Sequence, residues 1–289
     1  MAIITISRQL GGLGTEIAKK LQEELHYSYL DKQSLDMELV HKYGIPEKKV
    51  EHYDEKKPAF WDMFSSDKDK YLHFMKIVTY DFARKGNCII IGRGGQVLFK
   101  DIPGVLRVKV IAPIGIRIER VKNRYNYDDR LAEHIIRHTD HDRSGFLKFF
   151  FHVNWDDCSL YDLMINTHFV TIDASVCLIK DALKISGIEE KYSEADSKIK
   201  DLCLVQEVAT SILYEEKISV PYLEVIVASG IVTIRGSVIA EEDIGRCEAV
   251  ARKVPEVKDV VNEVYYIPIQ PQWPIVPVQR PQQKGPEHQ

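Results

Sequence analysis

The sequence predicts an α/β chain: a parallel sheet with helices on both faces, followed by a smaller α+β unit. Three observations carry that expectation. The apolar run Ile3-Ile4-Thr5-Ile6 passes through a glycine-rich turn into an amphipathic segment. A second run, Cys88-Ile89-Ile90-Ile91, is apolar at every position and ends in glycines, as a strand buried on both faces does. Beyond residue 200 the pattern changes to alternating strands, Leu223 to Val227 and Ile231 to Gly236, joined at Ala228-Ser229-Gly230.

In chain order, the turn Ser7-Arg8-Gln9-Leu10-Gly11-Gly12-Leu13-Gly14 feeds a helix whose apolar face is Ile17, Ala18, Leu21 and Leu25. Backbone N–H groups and the positive end of the helix dipole converge at such a junction, and glycines let an anion come close. The turn is therefore read either as a phosphate site or as a tight structural turn. The strict phosphate-loop pattern needs lysine before Thr15, and Gly14 stands there. Tyr27 to Leu30 reads as a short strand ending at Asp31-Lys32, where Asp31 is either a ligand contact or a helix N-cap. A helix with Leu35, Leu39 and Val40 follows, then a polar and aromatic excursion over residues 50 to 70 and a helix from Tyr71 to Lys85.

Arg93 lies between Gly92 and Gly94 at the end of the second buried run, placed for a bidentate phosphate contact or for a surface ion pair. A strand at Val105 to Ala112 precedes a helix from Pro113 carrying Arg117, Arg120 and Arg124. Residues 128 to 155 are rich in charge, with Asp140, Asp142 and Arg143, and read as a flap that closes over phosphates. His134, His138 and His141 share this stretch at helical spacing, without the rest of a metal-ligand pattern. The strand Leu160 to Asn166 and a helix ending near Ile185 complete the first unit.

Residues 191 to 199 are polar and charged and are expected to be a linker. The second unit begins with a helix near Asp201 to Tyr214 and adds the two alternating strands, a helix from Glu241 to Lys253 and a strand from Val257 to Ile267. The last 22 residues hold six of the chain's 12 prolines and are expected to be disordered. The predicted division is thus 1–190, 191–199, 200–267 and 268–289, with the first unit expected to fold without the remainder.

A length of 289 residues suits two domains. A formal net charge of −4 with mixed signs argues against binding nucleic acid through bulk charge. Five scattered cysteines without a Cys-x-x-Cys pair indicate neither a disulfide framework nor a zinc site and fit a reducing cytoplasm. No stretch reaches the roughly 18 apolar residues of a membrane span.

Residues 1 to about 188 resemble the cytidylate kinase-like family of P-loop nucleoside monophosphate kinases. The resemblance is carried by Ile4 to Arg8 with Gly11-Gly12-Leu13-Gly14, Leu30-Asp31-Lys32, Ile91-Gly92-Arg93-Gly94, Val110-Ile111-Ala112-Pro113 with Arg117, Trp155-Asp156-Asp157, and Ser159 to Leu163 with Ile165-Asn166-Thr167. Residues 200 to 267 resemble a BON domain, with Gly236 as the second-strand glycine. The first resemblance implies a P-loop kinase-type fold and ATP- and Mg²⁺-dependent phosphorylation of CMP or dCMP. It implies that Gly11, Gly12, Leu13, Gly14 and Thr15 cradle the ATP phosphates, that Thr15 helps hold Mg²⁺, and that Arg93 and Asp31 serve the acceptor. Arg8, Asp142 and Arg143 are the implied catalytic set, with Asp142 and Arg143 in the lid and Arg8 standing in for the missing lysine. The second resemblance implies a membrane-interface or protein partner. A nucleotide-binding regulatory module that has lost transfer, or a scaffold whose BON-like unit does the binding, is the competing expectation.

Overall fold

The computed structural model describes residues 2–50, 66–188 and 190–268. The expected excursion therefore lies largely outside the described residues, as does the expected disordered tail beyond Pro268.

Five strands form the first sheet: β1 (Ile3–Arg8), β2 (Ser28–Leu30), β3 (Cys88–Ile91), β4 (Val105–Ile111) and β5 (Leu163–Asn166). Their order is β2-β3-β1-β4-β5 and every pairing is parallel. The chain moves first to one side of β1 and then to the other, so a crevice opens at the carboxyl end of β1, where a sheet of this kind binds its ligands. Alternation along β1 splits the core into two layers. Ile4 and Ile6 pack with Val108, Val110, Ile17 and Leu21 on one face. That face is covered by α1 (Gly14–Leu25) and α7 (Ile172–Ile185). On the other face Ile3, Ile90 and Val105 pack with side chains of α2 (Lys32–Tyr43) and α3 (Ser66–Arg84). Residues 66–70, expected within the excursion, are thus the first turn of α3.

The short α4 (Gly95–Leu98) follows β3. Next along the chain, α5 (Ile114–Tyr125) follows β4, and the charged stretch is a single 23-residue helix, α6 (Asp129–Phe151). A helix forms because Ala132, Ile136, Leu147 and Phe150 make an apolar stripe, while Asp128 caps its start by accepting from the Leu131 N–H at 2.7 Å.

The expected linker is helical. α8 (Tyr192–Thr210) starts nine residues before Asp201, because Ala195, Ile199 and Cys203 recur at helical spacing and are buried. Ile199 and Cys203 belong to the core layer of α2 and α3, whereas Leu204 and Val208 belong to the core of the second unit. One helix therefore contributes to two cores. After a π-turn at Ser211–Glu215 come β6 (Glu224–Ala228), β7 (Ile231–Val238), α9 (Glu242–Lys253) and β8 (Asp259–Tyr266). β7 pairs antiparallel with β6 and parallel with β8, and Val232, Ile234, Val260 and Val264 face Cys247, Val250 and Ala251 of α9. Gly236 sits at φ +149°, and a Cβ there would stand 2.7 Å from Val220 Cγ1, so the position admits no side chain. Among the described residues no helix is long and apolar enough to cross a membrane.

Candidate active site

The glycine turn is tied down from behind. Gly12 N–H donates to the Gln9 carbonyl at 3.0 Å, and Gln9 N–H donates to Val110 on the neighbouring strand at 3.0 Å. The Thr167 hydroxyl donates to the Gly12 carbonyl (3.0 Å), and Arg120 donates to the Gly11 carbonyl (3.1 Å) and to Thr167 (2.9 and 2.7 Å). Asp140 of α6 accepts from the Leu10 N–H at 3.1 Å and from Arg117 at 2.5 Å. Leu13, in the left-handed region at φ 65°, occupies the N-cap of α1 without a side-chain cap bond. The turn's carbonyls are thus held by Thr167 and Arg120, and the start of α1 has the form that receives an anion.

Gly14 explains the missing lysine. A Cβ at Gly14 would lie 2.5 Å from Arg8 Cβ and 3.1 Å from Arg8 Cγ, and one at Gly92 would lie 2.7 Å from Arg8 Nη1. The Arg8 side chain therefore leaves β1 across Gly14 and ends beside Gly92, filling the space that a side chain at position 14 would need. Its Nε is buried without a hydrogen-bond partner. Burial first, and then the neighbouring Arg143, push the guanidinium pKa down to about 9, with Arg93 adding to the fall and Tyr29 and Asp31 opposing it. A buried cation left so poorly neutralised gains from a neighbouring anion. Arg143 of α6 donates to the Arg8 carbonyl at 2.6 Å, and burial lowers its pKa as well.

Two chambers meet at these arginines. The first, of about 420 Å³, is lined by Gly11, Leu13, Gly14 and Thr15 together with Arg120, Arg124 and Tyr125 of α5. The second, of about 430 Å³, is lined by Lys32, Gly92, Arg93, Gln96, His138, Asp142, Phe146 and Trp155. Arg8 and Arg143 line both. Gly12 lines neither and is buried behind the turn.

Arg93 reaches the second chamber from a left-handed turn, with Gly92, Arg93 and Gly94 at φ 72°, 52° and 74°. At Gly94 a Cβ would come within 2.3 Å of the Phe151 ring, which requires glycine there. The Arg93 side chain is only 6% exposed. Its Nη2 donates to both carboxylate oxygens of Asp36 (3.1 and 3.2 Å), its Nη1 donates to the Tyr71 hydroxyl (3.2 Å), and the group lies 5.6 Å from the Phe146 ring centre. The partner is Asp36 of α2, whose side chain is 20% exposed, so the pair is largely sheltered rather than a surface ion pair.

The remaining expected residues divide. Asp142 lines the second chamber and pairs with His138 Nδ1 at 2.9 Å. Asp31 is used differently from the acceptor contact expected of it. It caps α2, accepting from the Ser34 N–H at 3.0 Å and the Ser34 hydroxyl at 2.7 Å, and Lys32 rather than Asp31 lines the chamber. The described residues contain no group of three His, Cys, Asp or Glu able to hold a metal ion. Asp36 and Tyr71 were missed by sequence reasoning. Asp36 carried a faint signal as an acid beside the buried Leu35, and Tyr71 carried none. Lys109 was also missed. It is buried inside β4, its ammonium donates to the Trp155 carbonyl (2.7 Å) and to Asp156 (2.8 Å), and Trp155 Nε1 donates to the Ser7 hydroxyl (2.7 Å). A lysine within an apolar strand was the available signal.

This geometry agrees with what the chain is similar to. Residues 3–168 match the model of the Cytidylate kinase-like family, and residues 201–268 match that of the BON domain. The cytidylate kinase of Staphylothermus marinus is 26% identical over 186 residues, covering 64% of this chain and 97% of that protein. That of Pyrobaculum islandicum is 25% identical over 187 residues, covering 64% and 91%. The crystal structure of an uncharacterized protein from Eubacterium ventriosum superposes with a TM-score of 0.50 at 24% identity, covering 64% of this chain and 98% of that one, a likeness of fold. With its phosphate-loop-like turn, its parallel sheet and a family match over more than half its length, the chain belongs to the Cytidylate kinase-like family and carries a BON domain after its kinase domain.

Proposed function

We propose that the protein transfers the γ-phosphoryl group of ATP to a pyrimidine nucleoside monophosphate, CMP or dCMP. The observation that carries this reading is the pair of chambers that share Arg8 and Arg143 as a common wall. A reaction between two anionic reactants needs them brought together in line, with positive charge where they meet. In this reading ATP occupies the first chamber, its phosphates against the backbone of Gly11 to Thr15, and the acceptor's phosphate occupies the second, against Arg93. Arg8, fixed between Gly14 and Gly92, supplies the charge that a lysine at position 14 would otherwise bring, and stabilises charge developing between the reactants. Arg143 supports it from α6 and braces the Arg8 carbonyl, while Asp142, paired with His138 one turn back on the same helix, lines the acceptor chamber.

Mg²⁺ would be held by the Thr15 hydroxyl, whose place in the first turn of α1 beside the donor chamber fits an ion that keeps most of its ligands from phosphates and water. Bound there, it would neutralise phosphate charge. We place the activity in the cytoplasm, where ATP and Mg²⁺ are supplied, and give the BON domain a binding role toward a membrane interface or a protein. Transfer of labelled phosphate from ATP to a panel of nucleoside monophosphates tests the reading. CMP or dCMP should be the best acceptor. A protein that binds ATP with Mg²⁺ but labels no monophosphate would instead be a regulatory nucleotide-binding module.

A further inference from the structure

Both terminal nitrogens of Arg93 are engaged: Nη2 by the two oxygens of Asp36, Nη1 by the Tyr71 hydroxyl. A phosphate that pairs with this guanidinium through two parallel bonds must share at least one of those nitrogens and so competes with the contact it makes now. Tyr71 is an uncharged acceptor, so losing its bond from Nη1 leaves no charge behind, and its own hydroxyl hydrogen can turn toward the phosphate. Asp36 carries a full negative charge and, with only 20% of its side chain exposed, would be left beside a second anion. We propose that Asp36 is the acceptor site's counter-ion latch: it holds Arg93 while the site is empty and gives it up to the acceptor phosphate by taking a proton from solvent. This rests on the reading of the second chamber as the acceptor site.

The surroundings of Asp36 favour that exchange. The groups facing it are Arg93 from the turn after β3, Tyr71 from α3, and Lys32 and Asp31 from the start of its own helix. Burial raises its carboxyl pKa above the ordinary range even with Arg93 and Lys32 pulling the other way. An arriving phosphate adds negative charge on the same side and raises it further. Once neutral, Asp36 can still accept one hydrogen bond from Arg93 through its carbonyl oxygen, so the arginine keeps its position and its charge passes to the acceptor. Lys32 and Arg143, which line the chamber, remain to bind the rest of the phosphate.

Binding of CMP, dCMP and UMP to the full-length protein, measured by titration calorimetry at pH 7.5 in two buffers of different ionisation enthalpy, counts the protons taken up. The wild type should take up more protons per acceptor than Asp36→Asn, and any contribution from the acceptor's own phosphate cancels in that difference. Asp36→Asn should bind the acceptor about tenfold more tightly, as removing one competing charged contact implies. Its affinity should also lose the decline with rising pH that uptake imposes on the wild type. A difference infrared spectrum of the wild type should show a protonated-carboxyl band appearing with CMP, a readout that needs no variant to fold. Equal proton counts, weaker binding by Asp36→Asn, or no new carboxyl band would each overturn the latch while leaving acceptor binding intact. If no monophosphate binds the wild type, the acceptor reading itself falls and the latch falls with it.

Discussion

The two chambers on either side of Arg8 are built by different means. The donor side is mostly backbone, and its polar ties are internal to the kinase domain: Thr167 and Arg120 hold the Gly11 and Gly12 carbonyls, and Asp140 holds Leu10. The acceptor side is mostly side chains. Arg93 hangs between Asp36 on α2 and Tyr71 on α3, and α3 also packs against α8. α8 buries Ile199 and Cys203 in the core layer of α2 and α3, His73 of α3 meets the Thr210 hydroxyl at 2.8 Å, and Arg84 donates to Glu256 at 2.7 Å. Backbone that is cross-linked has one arrangement, whereas paired charges on two helices can exchange partners. In the proposed reading the donor chamber is accordingly the fixed reference of the reaction, and the acceptor chamber is the part whose side-chain contacts can rearrange.

Substitutions that act on one chamber at a time can break that contrast. The largest effect is expected from Asp140→Ala, which leaves Arg117 buried without its counter-ion and frees the Leu10 N–H. It should cost about 3–5 kcal/mol of stability and loosen ATP binding. Chemical denaturation with and without ATP measures both. Arg8→Ala is the one substitution expected to damage both sides, lowering the turnover of phosphate transfer by about two to three orders of magnitude. Lys19→Ala, one helical turn further along α1, should leave transfer nearly unchanged. Arg93→Ala should weaken acceptor binding by about one to two decades and leave ATP titrations nearly intact. Equal losses on both sides would show that the chambers are not independent.

A separate, pH-dependent effect concerns the support behind the acceptor side. Burial lowers the His73 pKa to about 4, helped by Lys76, while a hydrogen bond to Gln206 opposes. Between about pH 6.5 and 4 the unfolded chain binds a proton at this position that the folded chain refuses, so stability falls as pH falls through that window. The loss is at most about 3 kcal/mol. Melting curves from pH 7 to 4 should show it for the wild type and a flatter course for His73→Gln, with acceptor binding failing at higher pH than ATP binding.

How much of this was legible in the sequence follows the range of the forces involved. Ile3 to Ile6, Cys88 to Ile91 and the glycine turn announce themselves through local pattern, and the sheet and both chambers follow from them. Arg8 was legible as the stand-in for a lysine that is not there, but its path over Gly14 was not. Its meaning needs the 2.5 Å approach that places the arginine in the vacated space. Asp31 had two local readings, and Ser34 three residues on forms the capping box with it. Asp36 and Tyr71 come together with Arg93 only through tertiary packing. The expected linker was misread for a similar reason. Its charges are the outer face of α8, and the stripe Ala195, Ile199, Cys203 acquires meaning from the kinase core it covers. A fragment ending near Ala195 would lose that cover, so its independent folding, expected from composition, now depends on how well α3 tolerates exposure.

The central claim is that Arg8 occupies the space of the absent lysine and does its work, and returning the lysine tests it most directly. Phosphate transfer from ATP to CMP should be compared for the wild type, Arg8→Ala, Gly14→Lys and the double variant. Gly14→Lys alone should be severely impaired, because its Cβ would displace the Arg8 side chain. The double variant, with that space cleared, should transfer phosphate faster than Arg8→Ala alone. Full activity in Gly14→Lys, or undiminished transfer in Arg8→Ala, would contradict the account.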